Sequence, residues 1–316
     1  MNTSSRRVAL TGATGFVGRY VLDQLIQRGC HVQALVRNTP KITQKSDFLT
    51  WVYADLFDNT AIRRCLERTD SIIHLVGIIT ENRRLSQTFE RIHHEITTNL
   101  VQVAVESGCI DRFIHMSALG SRPDAASCYH RTKWLAEQAV RDCGLNWTIF
   151  RPSIIHGPDG QFMRMLCEFW TRRWPPIVPY FGGGVFGQQG GGKLQPVWVT
   201  DVAHCCVDAL FNENTIGKTY EFGGPQIMSW QQMYRLCKQY ITGARNKPIA
   251  PIPVWLAKVL ARVPGVPFNI DQVIMSREDS VCDIQPLQHD FQIQLKSFES
   301  ALAKYAPELM NPNVQP

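Results

Sequence analysis

Thr11-Gly12-Ala13-Thr14-Gly15-Phe16-Val17-Gly18 follows the apolar run Val8-Ala9-Leu10 and leads into Tyr20-Val21-Leu22-Asp23-Gln24-Leu25. The glycines are spaced Gly-x-x-Gly-x-x-Gly between a strand signal and a helix signal, where a βαβ unit would begin. Each has its own physical reason. Gly12 permits a tight turn, Gly15 lets the backbone approach a pyrophosphate, and Gly18 lets the helix pack close to the sheet. Phosphates then meet the helix N-terminus. Thr11, Gly12, Thr14, Gly15, Phe16, Val17 and Gly18 are therefore expected to line a dinucleotide.

Outward from this turn, strand signals recur at 8–10, 32–36, 50–53, 71–75, 112–116 and 147–150. Helix signals fill the intervals at 17–28, 60–67, 88–106 and 129–142. Near-continuous apolar strands alternating with helices predict a doubly wound parallel α/β sheet of Rossmann type, with its crevice at the carboxyl ends of the strands. The character changes after Arg151-Pro152, where aromatics, prolines and glycines crowd residues 162–192. This predicts a dinucleotide-binding domain over 1–155 and a smaller mixed lobe over 156–316 that closes the crevice. The glycine-rich stretch 182–192 reads as a loop.

The strand ends point to the kind of nucleotide. The second strand closes on Ala34-Leu35-Val36-Arg37, with Lys41 nearby. An acidic residue there would accept hydrogen bonds from a ribose 2′-hydroxyl. Arg37 instead offers a cation to a 2′-phosphate, which favours NADP(H) over NAD(H). Asp55 and Leu56 end the third strand beside an expected adenine, and Leu75, Val76 and Gly77 end the fourth along the cofactor.

Composition removes several function classes. With 44% hydrophobic and 19% charged residues among 316, the chain is globular and can bury a core. Its net charge of +6 reads as spread out, and no basic-aromatic cluster points to nucleic acid. The ten cysteines include no Cys-x-x-Cys, so no metal site is expected and the thiols fit a reducing compartment. No apolar run has membrane-spanning length, and the first strand begins too early for a signal peptide. The expectation is a cytoplasmic protein, soluble or peripheral on the inner face of a membrane.

Tyr129-His130-Arg131-Thr132-Lys133 sets a tyrosine and a lysine one helical turn apart. A free tyrosine titrates near pH ~10. A neighbouring ammonium and a nicotinamide's positive charge would favour the phenolate and make Tyr129 an acid/base.

These motifs, with Arg151-Pro152-Ser153 and Gly157-Pro158, resemble the short-chain dehydrogenase/reductase superfamily in its extended, epimerase-like branch. The stretches 194–203 and 269–273 are similar to an atypical group within it. That group includes the nucleotide-binding accessory subunit, alpha subcomplex subunit 9, of respiratory complex I. The resemblance implies catalytic roles for Tyr129 and Lys133, and makes Lys133, Pro152 and Ser153 cofactor contacts near the nicotinamide. It also exposes a departure. Aligned on Phe113, the position that carries a substrate-binding hydroxyl falls on Ala118, leaving Ser117 as the substitute. Only twelve positions separate Ser117 from Tyr129, which implies a shortened pocket loop.

Two functions follow. The first is a binding-dominated NAD(P)H protein like the complex I accessory subunit, an oxidoreductase in residual form only. The alternative is an active NADPH-dependent reductase, dehydrogenase or nucleotide-sugar epimerase-like enzyme using Tyr129 and Lys133. The stretch 169–181, with two tryptophans flanking two arginines, suits a membrane surface or a membrane-bound respiratory complex. His93 and His94 read as a solvated helix face, His115 as a core or crevice residue, and His156 as lying near the nicotinamide segment.

Overall fold

Six strands form in the expected places: β1 (Arg7–Thr11), β2 (His31–Val36), β3 (Leu49–Tyr53), β4 (Ser71–His74), β5 (Arg112–Met116) and β6 (Asn146–Pro152). The computed structural model describes residues 6–37, 44–182, 186, 190–263, 266 and 268–309. Four helices connect these strands: α1 (Phe16–Gln27), α2 (Asn59–Leu66), α3 (Ile96–Ser107) and α4 (Cys128–Arg141). β1 pairs in parallel with β2 on one side and with β4 on the other. The chain therefore runs outward through β2 and β3, returns past β1, and continues through β4, β5 and β6. That reversal makes the carboxyl ends of β1 and β4 the topological switch point.

A seventh strand, Lys218–Phe222, joins the sheet beside β6. Apolar residues of β1, β4, α2 and α3, among them Ala9, Ile72, Ile62 and Leu100, form one contiguous buried core. α2, α3 and α4 pack side by side. α1 lies against the helix Val199–Asp208, where Gln24 Nε2 donates to the Thr200 carbonyl (3.2 Å) and Arg28 pairs with Asp208 (2.8 Å). Within the expected helix 88–106, a turn of π-helix at Glu90–Glu95 precedes α3.

The chain divides into two units. The first comprises Met1–Pro152, Thr200–Glu221 and Gln285–Ile293; the second comprises Ser153–Val199, Phe222–Ile284 and Gln294–Pro316. In place of the single boundary expected at 155/156, the chain returns to the first unit twice. The returning segments complete the edge of the sheet. Buried Arg112 donates to the Ala209 carbonyl (3.1 Å) and to Thr148 and Thr215 Oγ1 (2.6 Å each). Asp290 accepts from Lys218 Nζ (2.7 Å) and Tyr220 OH (2.6 Å).

In the second unit, Ile155–His156 pairs in parallel with Val197–Trp198, and Val178–Gly182 pairs with Ile249–Pro253. The stretches 194–203 and 269–273 have structural reasons to be what they are. Asn269 and Gln272 form a reciprocal capping box on the helix Ile270–Met275. Gln195 is buried; its Nε2 donates to the Gly224 carbonyl and its Oε1 accepts from the Cys282 N–H, both at 2.8 Å. A Cβ at Gly223 would lie 2.4 Å from Gln195 Cδ, so the glycine makes room for this amide. Gln195→Ala strips two backbone groups of their partner and is expected to cost about 2–4 kcal/mol by urea denaturation.

The segment 169–181 does not stay together as one face. Phe169 and Trp170 are buried on the helix Gln161–Thr171, residues from 178 onward enter a strand, and Trp174 stands 79% exposed beside exposed Arg172 and Arg173. The helical period turns the first two aromatics inward. The expected loop 182–192 lies partly outside the described residues.

Candidate dinucleotide site

The glycine turn sits at the switch point. Gly12 leaves β1 with φ +75°, and a Cβ there would stand 3.1 Å from the Leu75 carbonyl carbon and 3.3 Å from Val76 N. Backbone leaving β1 thus touches backbone leaving β4. Gly15 caps α1 in extended conformation, and its N–H donates to the Gly12 carbonyl (2.9 Å). Gly18, in the first turn of α1, would carry a Cβ only 2.0 Å from that same carbonyl oxygen. The helix start is drawn over the turn as only glycine allows. Among the described residues no side chain caps its N–H groups, and no acidic residue lies in its first turn, so the residues present fit a pyrophosphate.

The other expected cofactor residues divide into lining and bracing groups. Thr14, Phe16 and Val17 are half-buried on the turn, with Phe16 edge-on to Tyr20 (6.0 Å). Arg37 is exposed one residue past β2, and Lys41 lies outside the described residues. Asp55 is exposed after β3 and accepts the Phe57 N–H (3.1 Å). Thr11 braces the turn: its buried Oγ1 pairs with His74 Nδ1 (2.7 Å) and accepts the Leu75 N–H (3.3 Å). The Leu56 side chain belongs to the core, while its carbonyl accepts Asn99 Nδ2 (2.8 Å). Leu75 and Val76 run past Gly12, and a Cβ on Gly77 would lie 3.0 Å from Lys133 Nζ. Pro152 ends the first unit. Ser153 begins the second, where its Oγ pairs with Ser280 Oγ (2.8 Å).

Ser127 caps α4 by accepting the His130 N–H (3.2 Å), which sets Tyr129 and Lys133 on the first two turns. Lys133 is buried, and its Nζ donates to the Met116 carbonyl (3.0 Å). Burial pulls its pKa down to about 8, with Glu137 opposing. The Tyr129 ring stands edge-on to His93 (5.2 Å) and Phe89 (5.7 Å), and burial pushes its phenol up to about 12. The expected bias toward phenolate is therefore absent from the chain by itself. The low-dielectric setting that weakens the lysine's charge also disfavours the tyrosine's.

Ser117 is committed elsewhere. Its Oγ donates to Glu137 Oε1 (2.6 Å), and Arg151 grips that fully buried carboxylate through two bonds of 2.8 and 2.7 Å. Arg141 adds a third cationic contact (3.3 Å). Ala118, the next residue, has no hydroxyl to offer.

The sequence missed His93. His94 does face outward, pairing with Glu90 (2.7 Å), but His93 is only 1% exposed. Its Nδ1 meets Thr132 Oγ1 (2.9 Å) and its Nε2 meets the Ile78 N–H (3.2 Å) and carbonyl (3.0 Å). Thr132 Oγ1 also lies 3.0 Å from the Cys128 and Tyr129 carbonyls. In either tautomer of the neutral His93 ring one nitrogen donates and the other accepts, so it bridges Thr132 and Ile78. His93 thus fastens the loop after β4 to the Tyr129 helix. Burial, reinforced by Lys133, holds His93 near pKa 2 and His74 near 3, so both are neutral. His115 stacks on His74 (5.5 Å) in the same core. His156 is buried in the second unit, where its Nδ1 meets Tyr305 OH (3.0 Å). Among the described residues, no cluster of His, Cys, Asp or Glu is placed to hold a metal.

A family model described as NAD(P)H-binding matches residues 12–164, which span this site. Over 280 residues the chain is 31% identical to the mitochondrial NADH dehydrogenase (ubiquinone) 1 alpha subcomplex subunit 9 of Arabidopsis thaliana, covering 83% of this chain and 67% of the relative. The chain belongs to the alpha subcomplex subunit 9 family. It is also 34% identical over 181 residues to the ceramide reductase of Caulobacter vibrioides, covering 57% of this chain and 55% of that enzyme. Among solved structures, MoeE5 in complex with UDP-glucose and NAD shares the fold: TM-score 0.72 at 17% identity, covering 96% of this chain and 98% of that one. The dinucleotide turn, the doubly wound sheet and the relatives agree. The chain carries a nicotinamide dinucleotide-binding domain.

Proposed function

We propose that this protein holds NADP(H) as a long-residence ligand and serves as a nucleotide-binding accessory partner of a membrane-bound respiratory complex. The observation that carries the reading is Ser117. Its hydroxyl is donated to a carboxylate already gripped by arginines, and Ala118 supplies none, so a bound carbonyl would lack a donor worth roughly 10²–10³ in rate. Binding has its full complement of glycines; chemistry lacks a part. The similarity to subunit 9 proteins supports the partner, and exposed Arg37 supports NADP(H). Arg37→Asp is expected to weaken NADPH about 10- to 100-fold while leaving NADH within a few-fold, measured by calorimetric titration.

A second reading, an active NADPH-dependent reductase, has a specific observation in its favour: Tyr129 and Lys133 stand one turn apart at the head of α4, with Lys133 Nζ beside Gly77. The likeness to a ceramide reductase supports it. One experiment separates the two. The purified protein is assayed by mass for retained nucleotide and by absorbance for NADPH oxidation with quinones and small carbonyls. Retained NADP(H) without turnover is the expected result. Turnover that disappears in Tyr129→Phe would overturn the binding-dominated reading.

A further inference from the structure

The net charge of +6 is not evenly distributed. The first unit holds 20 Lys and Arg against 19 Asp and Glu; the smaller second unit holds 13 against eight, and so carries +5. Within the second unit, residues 222–270 contain six Lys and Arg and no acidic residue. The helix Val254–Leu260 lies in this stretch. A helix on a globular unit normally turns its apolar stripe inward. Here only Ala257 is buried. Trp255 is 60% exposed, Val259 53%, and Val263 in the following turn 51%.

Trp255 and Val259 are four residues apart and share a face. Lys258 and Arg262 repeat the same spacing beside them, and Arg262 Nη1 donates to the Lys258 carbonyl (2.8 Å). The helix leans on the helix Ile270–Met275, which carries Asp271 in its first turn, and on the strand pair Val178–Gly182 and Ile249–Pro253. Just ahead of that pair, Lys247 Nζ donates to the carbonyls of Phe169 (2.8 Å) and Pro175 (2.7 Å). It thereby fastens the turn that displays Arg172, Arg173 and Trp174. An exposed tryptophan, aliphatic neighbours and cations, with no carboxylate on residues 254–263 themselves, are the composition of an interfacial helix. A stripe this narrow is small for a stable protein interface, which takes roughly 800 Å² per partner.

We propose that this face of the second unit docks on one leaflet of an anionic phospholipid bilayer, with Trp255 and Val259 entering the headgroup layer and Lys258 and Arg262 meeting lipid phosphates. The proposal does not depend on the nucleotide reading. The test is flotation of the full chain with phosphatidylcholine vesicles, with and without phosphatidylglycerol, at low and high salt. Binding to the anionic vesicles, released by salt, is expected. Replacing both Lys258 and Arg262 by Gln should lower the vesicle partition coefficient about 30-fold, from about 1 kcal/mol per cation. Trp255→Ala with Val259→Ser should reduce binding with unchanged circular dichroism; if that variant loses its fold, the charge variant decides. Equal binding to neutral vesicles, a double variant that binds like the parent, or capture by a protein without any vesicle binding would each overturn the proposal.

Discussion

Gly18→Ala raises the dissociation constant for the dinucleotide by about 100-fold or more and destabilises the first unit by about 2–3 kcal/mol. The added Cβ would sit 2.0 Å from the Gly12 carbonyl oxygen and 2.9 Å from Ala13 Cα, and both are backbone atoms. No rotamer relieves this, so the start of α1 must move off the turn by more than an ångström. The two features proposed to receive phosphates, the Gly12–Gly15 turn and the N–H groups at the start of α1, then separate. Gly29 is the control. It has φ +71° but no heavy atom within 4 Å of a built Cβ, so Gly29→Ala carries only the left-handed penalty of about 1–2 kcal/mol and leaves binding intact. Calorimetric titration and urea denaturation of both variants measure the difference. Equal nucleotide affinity in the two would remove the close-packing argument.

The sequence spoke clearly where a physical requirement fell on one residue type. Glycines that cannot carry a Cβ and apolar strands buried on both faces are of this kind, so the parallel sheet and the turn are legible within a residue or two. It was quieter where partners come from far along the chain. Nothing near Ser117 announced that Glu137 and Arg151 would occupy its hydroxyl, and the edge strand Lys218–Phe222 is held in place by Arg112 and Asp290 from distant segments. His93 was legible in principle. It lies four residues after Phe89 and three before Ile96, on the same buried helical face, but a doubled histidine invites a polar reading. The charge asymmetry was hidden for another reason: the units are not contiguous in sequence.

Acidification provides the second large effect. His74 and His93 are neutral in the fold, with burial depressing their pKa values to about 3 and about 2, while an unfolded chain binds the proton near 6.5. Their contribution is therefore complete above pH 6.5 and is lost as pH falls, because the unfolded state protonates first. At pH 4.5 each histidine has cost the fold about 2.7 kcal/mol, whatever its exact folded value below that point. The pair together approaches the roughly 5–15 kcal/mol that stabilises a typical domain. His115, stacked on His74 and pushed well below its ordinary pKa by the same burial, titrates in this window too and steepens the loss; the depressed Lys133 changes stability only above about pH 8, and Asp290, held near 2, only below its ordinary 3.8. His156, near 3, adds the same slope to the second unit. Urea denaturation between pH 7.5 and 4.5 should show the first unit losing several kcal/mol. His93→Asn should be less stable at neutral pH, since it loses the link between Ile78 and Thr132, yet fall more gently with acid. A slope unchanged by that substitution would mean that His93 is not held neutral in the core, and with it would go its part in tying the loop after β4 to the Tyr129 helix.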